Sequence, residues 1–283
     1  MLNRAAIAPV NDALLADFEL MEQYASAAYC WTNFNSPGNQ IKCNDGTCPL
    51  VQAANATSVV EYNRSFLRSY SDLATDVTGF VALDPTNELI VVSFRGSVSI
   101  QNWITNIDFK AVSTNLCSGC TAHRGFYQSW LDSRSAVTAT VNSLVAANPR
   151  YKVITTGHSL GGAIATLAAA DLRNSGYPVA LYSFGSPRVS SSKLANYITA
   201  QPGGNYRITH WNDPVPNIPP ILMNFAHVSP EYYINRPNHQ VVKATDFKIY
   251  EGATNMKGNA AWLFTDILAH LWYFGSFPMK CQI

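Results

Sequence analysis

Short β-favouring runs alternate with longer segments of helical period through the middle of this chain. Residues 77–83 and 88–94 are two β-rich runs joined by Asp84-Pro85-Thr86-Asn87, a turn sequence, so they predict a β-hairpin. The pattern predicts further strands at 151–156, 179–184, 206–211 and 247–250. It predicts helices at 12–29, 125–148, 162–174 and 190–200, with a last turn at 266–274. This alternation is typical of an α/β fold around a sheet of mixed strand direction. No internal repeat or linker divides the chain, so we predict one domain over residues 1–283.

A short amphipathic segment follows the second strand of the hairpin. One helical face carries the i, i+3, i+4, i+7 set Ile100, Trp103, Ile104 and Ile107. The opposite face is polar. An ordinary core helix has the same pattern. A short helix directly after a strand end, with one tryptophan and three isoleucines, also fits a lid that turns its apolar face to a lipid surface when it opens. The periodicity leaves both interpretations open.

The composition and charge of the chain mainly exclude certain partners and locations. The 283 residues carry a formal net charge of +1, and only 13% of them are charged, against about 25% in typical soluble domains. The balanced charge argues against nucleic acid as a partner, and no segment reaches the ~18 apolar residues of a membrane span. We expect a neutral, Ser-, Thr- and Asn-rich surface of the kind found on extracellular proteins. Residues 1–9 lack the apolar run of a signal peptide, so we expect a mature secreted form without its leader.

The six cysteines also favour a secreted protein. They fall into two close pairs and one distant pair: Cys43 with Cys48, Cys117 with Cys120, and Cys30 with Cys281. The segment Cys117-Ser-Gly-Cys120 could instead be a redox pair or half of a zinc site, but no second Cys-x-x-Cys supplies the other zinc ligands. Structural disulfides in an oxidising compartment are therefore the favoured interpretation. The spacing does not fix their connectivity, and we predict no metal site.

The strongest chemical signal is the pentapeptide Gly157-His158-Ser159-Leu160-Gly161. It follows a predicted strand and precedes an alanine-rich predicted helix. Strand, tight turn and helix are the context of a nucleophile elbow, in which glycines on both sides of the serine allow other backbone to pack closely. The turn would raise the Ser159 hydroxyl above the sheet edge, at the positive end of the new helix. We predict Ser159 as a nucleophile.

A serine hydroxyl needs a base and an orienting acid. His270 lies among apolar residues near the C-terminus, and the chain order Ser, Asp, His favours it as the base. His158 should point away from its neighbour Ser159, so we interpret it as structural. Asp213 follows a predicted strand in a proline-fixed loop and is our choice of acid, while Asp266, one turn before His270, is the alternative.

An acyl-transfer site also needs two donors for the oxyanion. The first is the N–H of Leu160, the residue after the nucleophile. The second is Ser97, which follows the end of a neighbouring predicted strand. Because sites in open α/β sheets lie at the carboxyl ends of strands, we expect Ser97, Ser159 and Asp213 to converge there.

Four segments carry a resemblance to a known family. They read Ser93-Phe-Arg-Gly-Ser97, Gly157-His-Ser-Leu-Gly-Gly162, Tyr206-Arg-Ile-Thr-His-Trp-Asn-Asp213 and Ala269-His-Leu-Trp-Tyr-Phe-Gly275. With the six cysteines they resemble the filamentous-fungal class 3 triacylglycerol lipases over residues 12–281. The resemblance implies an α/β-hydrolase-type fold with a predominantly parallel central sheet, flanking helices and a short amphipathic lid helix. It also implies a mobile lid from Ser99 to Asp108.

The resemblance further implies the site and the covalent framework. The implied triad is Ser159, Asp213 and His270, and the implied oxyanion pair is Ser97 and Leu160. The implied disulfides are Cys30–Cys281, Cys43–Cys48 and Cys117–Cys120. The chain departs from the family pattern over residues 63–72 and after Phe274, so acyl-chain preference does not carry over.

The implied function is a secreted serine lipase that hydrolyses triacylglycerol at lipid–water interfaces through an acyl-enzyme, as a monomer and without a metal or organic cofactor. A soluble carboxylesterase of feruloyl-esterase type, a phospholipase A1 and a catalytically inactive lipid-binding relative are the alternatives. Feruloyl esterases carry a polar segment in place of the lid, so Ile100, Trp103, Ile104 and Ile107 argue against the first. An intact triad disfavours the last.

Overall fold

A computed structural model of the chain describes residues 8–34, 36–63, 75, 77–275, 277 and 281. The strands are β1 (Thr57–Asn63), β2 (Thr78–Asp84), β3 (Leu89–Phe94), β4 (Ala111–Ser113), β5 (Thr121–His123), β6 (Lys152–His158), β7 (Ala180–Phe184), β8 (Asn205–His210), β9 (Glu231–Ile234) and β10 (Phe247–Tyr250). The α-helices are α1 (Asp12–Ala27), α2 (Pro49–Ala53), α3 (Ile100–Asn106), α4 (Arg124–Ala147), α5 (Leu160–Asn174), α6 (Ser192–Ala200) and α7 (Ile267–His270).

Eight of these strands form one sheet in the order β1-β2-β3-β6-β7-β8-β9-β10. The consecutive pairs from β3 to β9 are parallel, and the outer pairs β1–β2, β2–β3 and β9–β10 are antiparallel. Strands β4 and β5 pair separately. The predicted α/β fold with a mainly parallel sheet is therefore confirmed, as is the β2–β3 hairpin.

Helices cover both faces of the sheet. On one face α5 is buried along almost its whole length, since its small alanines let it lie close to β6 and β7. Trp130 of α4 packs into the same core, and its indole N–H donates to Asp171 Oδ2 at 2.8 Å. On the other face α1 buries Phe18, Met21 and Tyr24 against the strands. None of the helices within the described residues is both long and apolar enough to cross a membrane.

Two elements that the sequence pattern missed have physical explanations. Strand β1 contains a register shift between Ser58 and Val60, and such a bulge breaks the period of two on which strand prediction depends. Strand β9 is buried at every position but begins with Glu231, whose carboxylate accepts from Thr209 at 2.6 Å and pairs with Arg207 at 3.5 Å. A charged residue lowers the mean hydropathy of so short a segment, so the pattern does not predict a buried strand there. The divergent residues 64–72 lie outside the described part of the chain.

Three disulfides join Cys30 to Cys281, Cys43 to Cys48 and Cys117 to Cys120, which is the pairing that the resemblance implies. The long-range bridge fastens the residue after Tyr29, just beyond α1, to the segment that follows α7. Its sulfurs lie near Asp45 in a cluster of metal-ligand geometry, but two sulfurs bonded to each other do not supply thiolate ligands.

We expect Glu22→Gln to stabilise the protein at alkaline but not at acidic pH. Burial in α1 raises the pKa of the Glu22 carboxyl from 4.5 to about 8. Between these values the unfolded chain releases the proton and the folded chain keeps it, so the free energy of unfolding falls by up to about 1.4 kcal/mol per pH unit. Glutamine removes this loss. Denaturant unfolding should show a gain of about 2–4 kcal/mol at pH 8 and almost none at pH 4.

Glu19→Gln, at a half-buried position three residues earlier, should give a smaller gain. Equal gains at both pH values would contradict the prediction.

Candidate active site

The predicted elbow joins β6 to α5, and its glycines are explained by close backbone. A Cβ atom on Gly157 would lie 2.5 Å from the Gly161 carbonyl oxygen, and a Cβ atom on Gly161 would collide with the carbonyl oxygen of Phe94 in the next strand. Any larger side chain at either glycine would push β3, β6 and α5 apart. The sequence interpretation of this turn is therefore supported by its packing.

Ser159 stands at the tip of this turn in a strained conformation. Its φ of 59° and ψ of −128° are rare for a residue with a side chain, and such strain costs on the order of 1–3 kcal/mol. The amide N–H of Ser159 is anchored on the Phe184 carbonyl at 2.8 Å. Its hydroxyl is buried and has no hydrogen-bond partner in the described part of the chain.

The structure brings His270 and Asp213 together beside this turn. His270 Nδ1 lies 2.8 Å from Asp213 Oδ2, and both side chains are fully buried. A Cβ atom on Gly185, the residue after the one that anchors Ser159, would lie 2.9 Å from both Asp213 Oδ2 and His270 Cε1. His270 Nε2, like the Ser159 hydroxyl, is without a partner among the described residues. The histidine thus offers an unused nitrogen on the side opposite its carboxylate.

Sequence reasoning missed the groups that hold Asp213. Tyr273 is fully buried and donates its hydroxyl to the same Oδ2 at 2.7 Å, while the Val215 N–H donates to Oδ1 at 2.8 Å. The Asn259 side chain donates to the Asp213 carbonyl oxygen at 2.9 Å. Tyr273 lies within the segment 269–275 that carries the resemblance, and this position was the one available signal. Asn259 had none.

The competing candidates have other roles in the fold. The Asp266 carboxylate caps α7 by accepting from the Leu268 N–H at 2.9 Å, so it does not orient His270. His270 is the last residue of α7, which lies within the last turn predicted at 266–274. His158 is buried beneath His270, and burial lowers its pKa well below 6.5. Burial likewise lowers the pKa of His123 to about 4, so that ring is neutral at physiological pH.

A cavity of 460 Å³ opens onto this turn. Ser97 and Leu160 both line it, as the oxyanion prediction requires, together with Trp103, Phe126 and His123. Leu160 is the first residue of α5, so its N–H belongs to the helix end that has no intrahelical acceptor. The positive end of the helix dipole therefore faces the space where an oxyanion would form.

Helix α3 borders the cavity through Trp103 and Asn106, and Ile107 follows at its end. Ile100 is buried and Trp103, Ile104 and Ile107 are half-buried, while the four polar residues between them are exposed or face the cavity rim. Trp103 stacks on Phe126 with 6.3 Å between ring centroids. The helix that the periodicity predicts is confirmed. Ser159 and His270 have no exposed surface in this structure.

These features define a class of protein. A strained serine at a strand–turn–helix elbow, beside a histidine that is paired with a buried aspartate, occupies the carboxyl edge of a mainly parallel sheet. The fold is the α/β-hydrolase fold, and the side-chain set is one that can carry nucleophilic acyl transfer.

Comparisons with known proteins narrow this class to a family. Residues 91–223 match the family model described as lipase (class 3). The chain is 43% identical to the secreted mono- and diacylglycerol lipase A of Penicillium cyclopium over 270 residues, covering 94% of this chain and 86% of that protein. It is 40% identical to the secreted mono- and diacylglycerol lipase 1 of Fusarium solani, covering 97% and 79%. The crystal structure of a mono- and diacylglycerol lipase from Aspergillus oryzae superposes with a TM-score of 0.88 at 40% identity, covering 96% and 100%. The chain belongs to the class 3 lipase family.

Proposed function

We propose that this secreted lipase is a single-domain, monomeric serine enzyme that hydrolyses acylglycerols through an acyl-enzyme on Ser159. The observation that carries the proposal is the buried Asp213–His270 pair, which contacts the elbow through His158. Neither His270 Nε2 nor the hydroxyl of the strained Ser159 has a hydrogen-bond partner among the described residues. No cofactor is needed for this chemistry.

In the proposed mechanism His270 Nε2 removes the Ser159 proton as the serine oxygen attacks the ester carbonyl. Asp213 stays ionised, fixes the proton of His270 on Nδ1 and stabilises the imidazolium that forms. The N–H groups of Ser97 and Leu160 hold the oxyanion of the tetrahedral intermediate. His270 then protonates the departing glycerol oxygen, and a water molecule deprotonated by the same nitrogen releases the fatty acid.

The finer question is which acylglycerol the enzyme prefers. The resemblance implies triacylglycerol, whereas the relatives at 40–43% identity are named mono- and diacylglycerol lipases. We propose mono- and diacylglycerols as the preferred substrates, with triacylglycerol as the second candidate. Initial rates on mono-, di- and triolein, dispersed identically at equal ester concentration, test this choice. A higher rate on triolein than on diolein would overturn it.

We also propose that α3 is a lid that opens at a lipid–water interface. The support is that Trp103 and Ile107 are apolar, only half-buried, and line the same cavity as Ser97 and Leu160. Turning such a face outward in water is unfavourable, at roughly 25 cal/mol per Å² of apolar surface exposed, whereas contact with lipid removes that cost.

The rate of tributyrin hydrolysis should therefore rise abruptly once its concentration passes the solubility limit and droplets form. The measurement is initial rate against concentration through that limit, with methyl ferulate as the control substrate. Smooth saturation below the limit, together with efficient hydrolysis of methyl ferulate, would favour a soluble esterase of feruloyl-esterase type. Dipalmitoylphosphatidylcholine vesicles in the same assay test the phospholipase A1 alternative.

A further inference from the structure

The elbow histidine is bonded to the backbone of the proposed general base. His158 Nε2 lies 2.8 Å from the carbonyl oxygen of His270, and the two imidazole centroids are 4.4 Å apart. His158 is fully buried. The residue before the nucleophile therefore holds the backbone of the residue that would deprotonate it, whereas Asp213 holds the ring of that residue.

The donors and acceptors that are available determine which atom donates in this hydrogen bond. A carbonyl oxygen only accepts, so the proton must lie on His158 Nε2. Because burial keeps the pKa of His158 well below 6.5, the ring is neutral and Nδ1 carries no proton. Nδ1 must then accept, and the Tyr29 hydroxyl, 2.9 Å away, is its donor. One phenolic proton thereby selects the tautomer that holds the His270 backbone.

The same hydroxyl contacts the strand end that leads to the oxyanion donor. The Gly96 backbone packs directly against the Tyr29 hydroxyl oxygen. A Cβ atom on Gly96 would collide with that oxygen and would lie 2.7 Å from the His158 carbonyl oxygen and 3.1 Å from Ser159 Cβ. Glycine is required here because tyrosine, elbow and strand end meet at one point. Ser97 is the next residue.

The surroundings hold this chain of bonds in place. Phe277 stacks on the His158 ring with 3.7 Å between centroids and an interplanar angle of 16°. Phe277 and Tyr29 are brought together by the Cys30–Cys281 bridge, since Cys30 follows Tyr29 and Cys281 lies four residues after Phe277. The end-to-end disulfide thus holds in place two side chains that contact the buried His158 ring, Tyr29 at Nδ1 and Phe277 on the ring face.

We propose that Tyr29 and His158 are positioning residues for acyl transfer, which set the distance between the oxyanion donor at Ser97 and the base His270. The hydrogen bonds run from Tyr29 to His158 Nδ1 and from His158 Nε2 to the His270 carbonyl, and the Tyr29 oxygen packs against Gly96, the residue before Ser97. Neither residue takes up a proton or forms a bond in the proposed reaction. The inference rests on the proposed function, and a displacement of about 1 Å between reacting groups can lower a rate 10²-fold.

The test is Tyr29→Phe, which removes one buried hydroxyl and keeps the ring. Rates are measured on p-nitrophenyl butyrate below its solubility limit, per active site titrated with a p-nitrophenyl phosphonate. We expect kcat to fall at least ~10-fold with KM within about twofold of the parent enzyme, because positioning acts on the transition state.

Tyr24→Phe is the matched control. Tyr24 lies in α1, is fully buried and donates its hydroxyl to Asp84 Oδ2 at 2.8 Å, away from the site. It should lose comparable thermal stability but keep kcat within about twofold, since the lost bond is worth about the same and none of its partners reacts. A kcat for Tyr29→Phe within twofold of the parent would overturn the inference. If Ser159→Ala still abolished hydrolysis, the proposed function would stand without it.

A spectroscopic measurement on the unmodified protein tests the direction of these hydrogen bonds even if Tyr29→Phe does not fold. Nitrogen-15 labelling of the histidines and two-bond proton–nitrogen correlation spectra report the tautomer of each ring. We expect His158 as a neutral ring with its proton on Nε2. A His158 proton on Nδ1, or a charged ring at pH 7, would contradict the proposed direction of the bonds.

Discussion

Replacing Ser159 with alanine should lower kcat on emulsified tributyrin by roughly 10⁵-fold or more, since the nucleophile of a serine triad accounts for about that factor. The variant should fold as the parent does. The Ser159 hydroxyl makes no hydrogen bond within the described residues, so its removal leaves no polar partner unsatisfied. Titration of released fatty acid gives the rate, and thermal unfolding with droplet adsorption shows that fold and surface binding persist.

The control for this experiment is Ser183→Ala. Ser183 lies in β7, is equally buried, and also has a hydroxyl without a partner in the described part of the chain. Its replacement removes the same atom from the same sheet but not from the elbow. We expect its activity to remain within about twofold of the parent. Residual turnover by Ser159→Ala above about 1% of the parent rate would mean that another group is the nucleophile.

The elements that the sequence predicted well are those whose signal is local. The elbow, the β2–β3 hairpin and helix α3 each depend on residues close together in the chain. Gly157 and Gly161 could be interpreted because a tight turn between strand and helix leaves few alternatives. The same holds for α3, where four apolar side chains at one helical period predicted the helix, although the period left open whether that face is buried.

What the sequence could not supply depends on contacts between distant segments. The bond between Tyr29 and His158 spans 129 residues, and that between Tyr273 and Asp213 spans 60. No periodicity records which tyrosine hydroxyl reaches a given ring. Strand β9 was missed for a related reason, because the Glu231 carboxylate is paired with Arg207, 24 residues away in the chain, on the neighbouring strand.

The choice between Asp213 and Asp266 as the orienting acid leads to the second large prediction. Asp213→Asn should lower kcat about 10⁴-fold, the loss seen when the acid of such a triad becomes an amide. The Asp213 carboxylate accepts from His270 Nδ1, Tyr273 and the Val215 N–H. An amide has one oxygen, so its NH₂ group must face one of these donors. If the NH₂ group faces His270, the ring proton moves to Nε2, and that nitrogen can no longer accept from Ser159.

Asp266→Asn is the matched control, because both variants replace one carboxylate by its isosteric amide near His270. The Asp266 side chain caps α7 through a single accepted bond from the Leu268 N–H. Asparagine caps helices about as well as aspartate, so stability and kcat should remain close to those of the parent. Asp213→Asn should in addition lose about 1–3 kcal/mol of unfolding free energy, since a buried donor is left unpaired. Kinetics on p-nitrophenyl butyrate and denaturant unfolding of both variants separate the two aspartates. If Asp266→Asn were the inactive variant and Asp213→Asn kept its activity, Asp266 and not Asp213 would be the orienting acid of the triad.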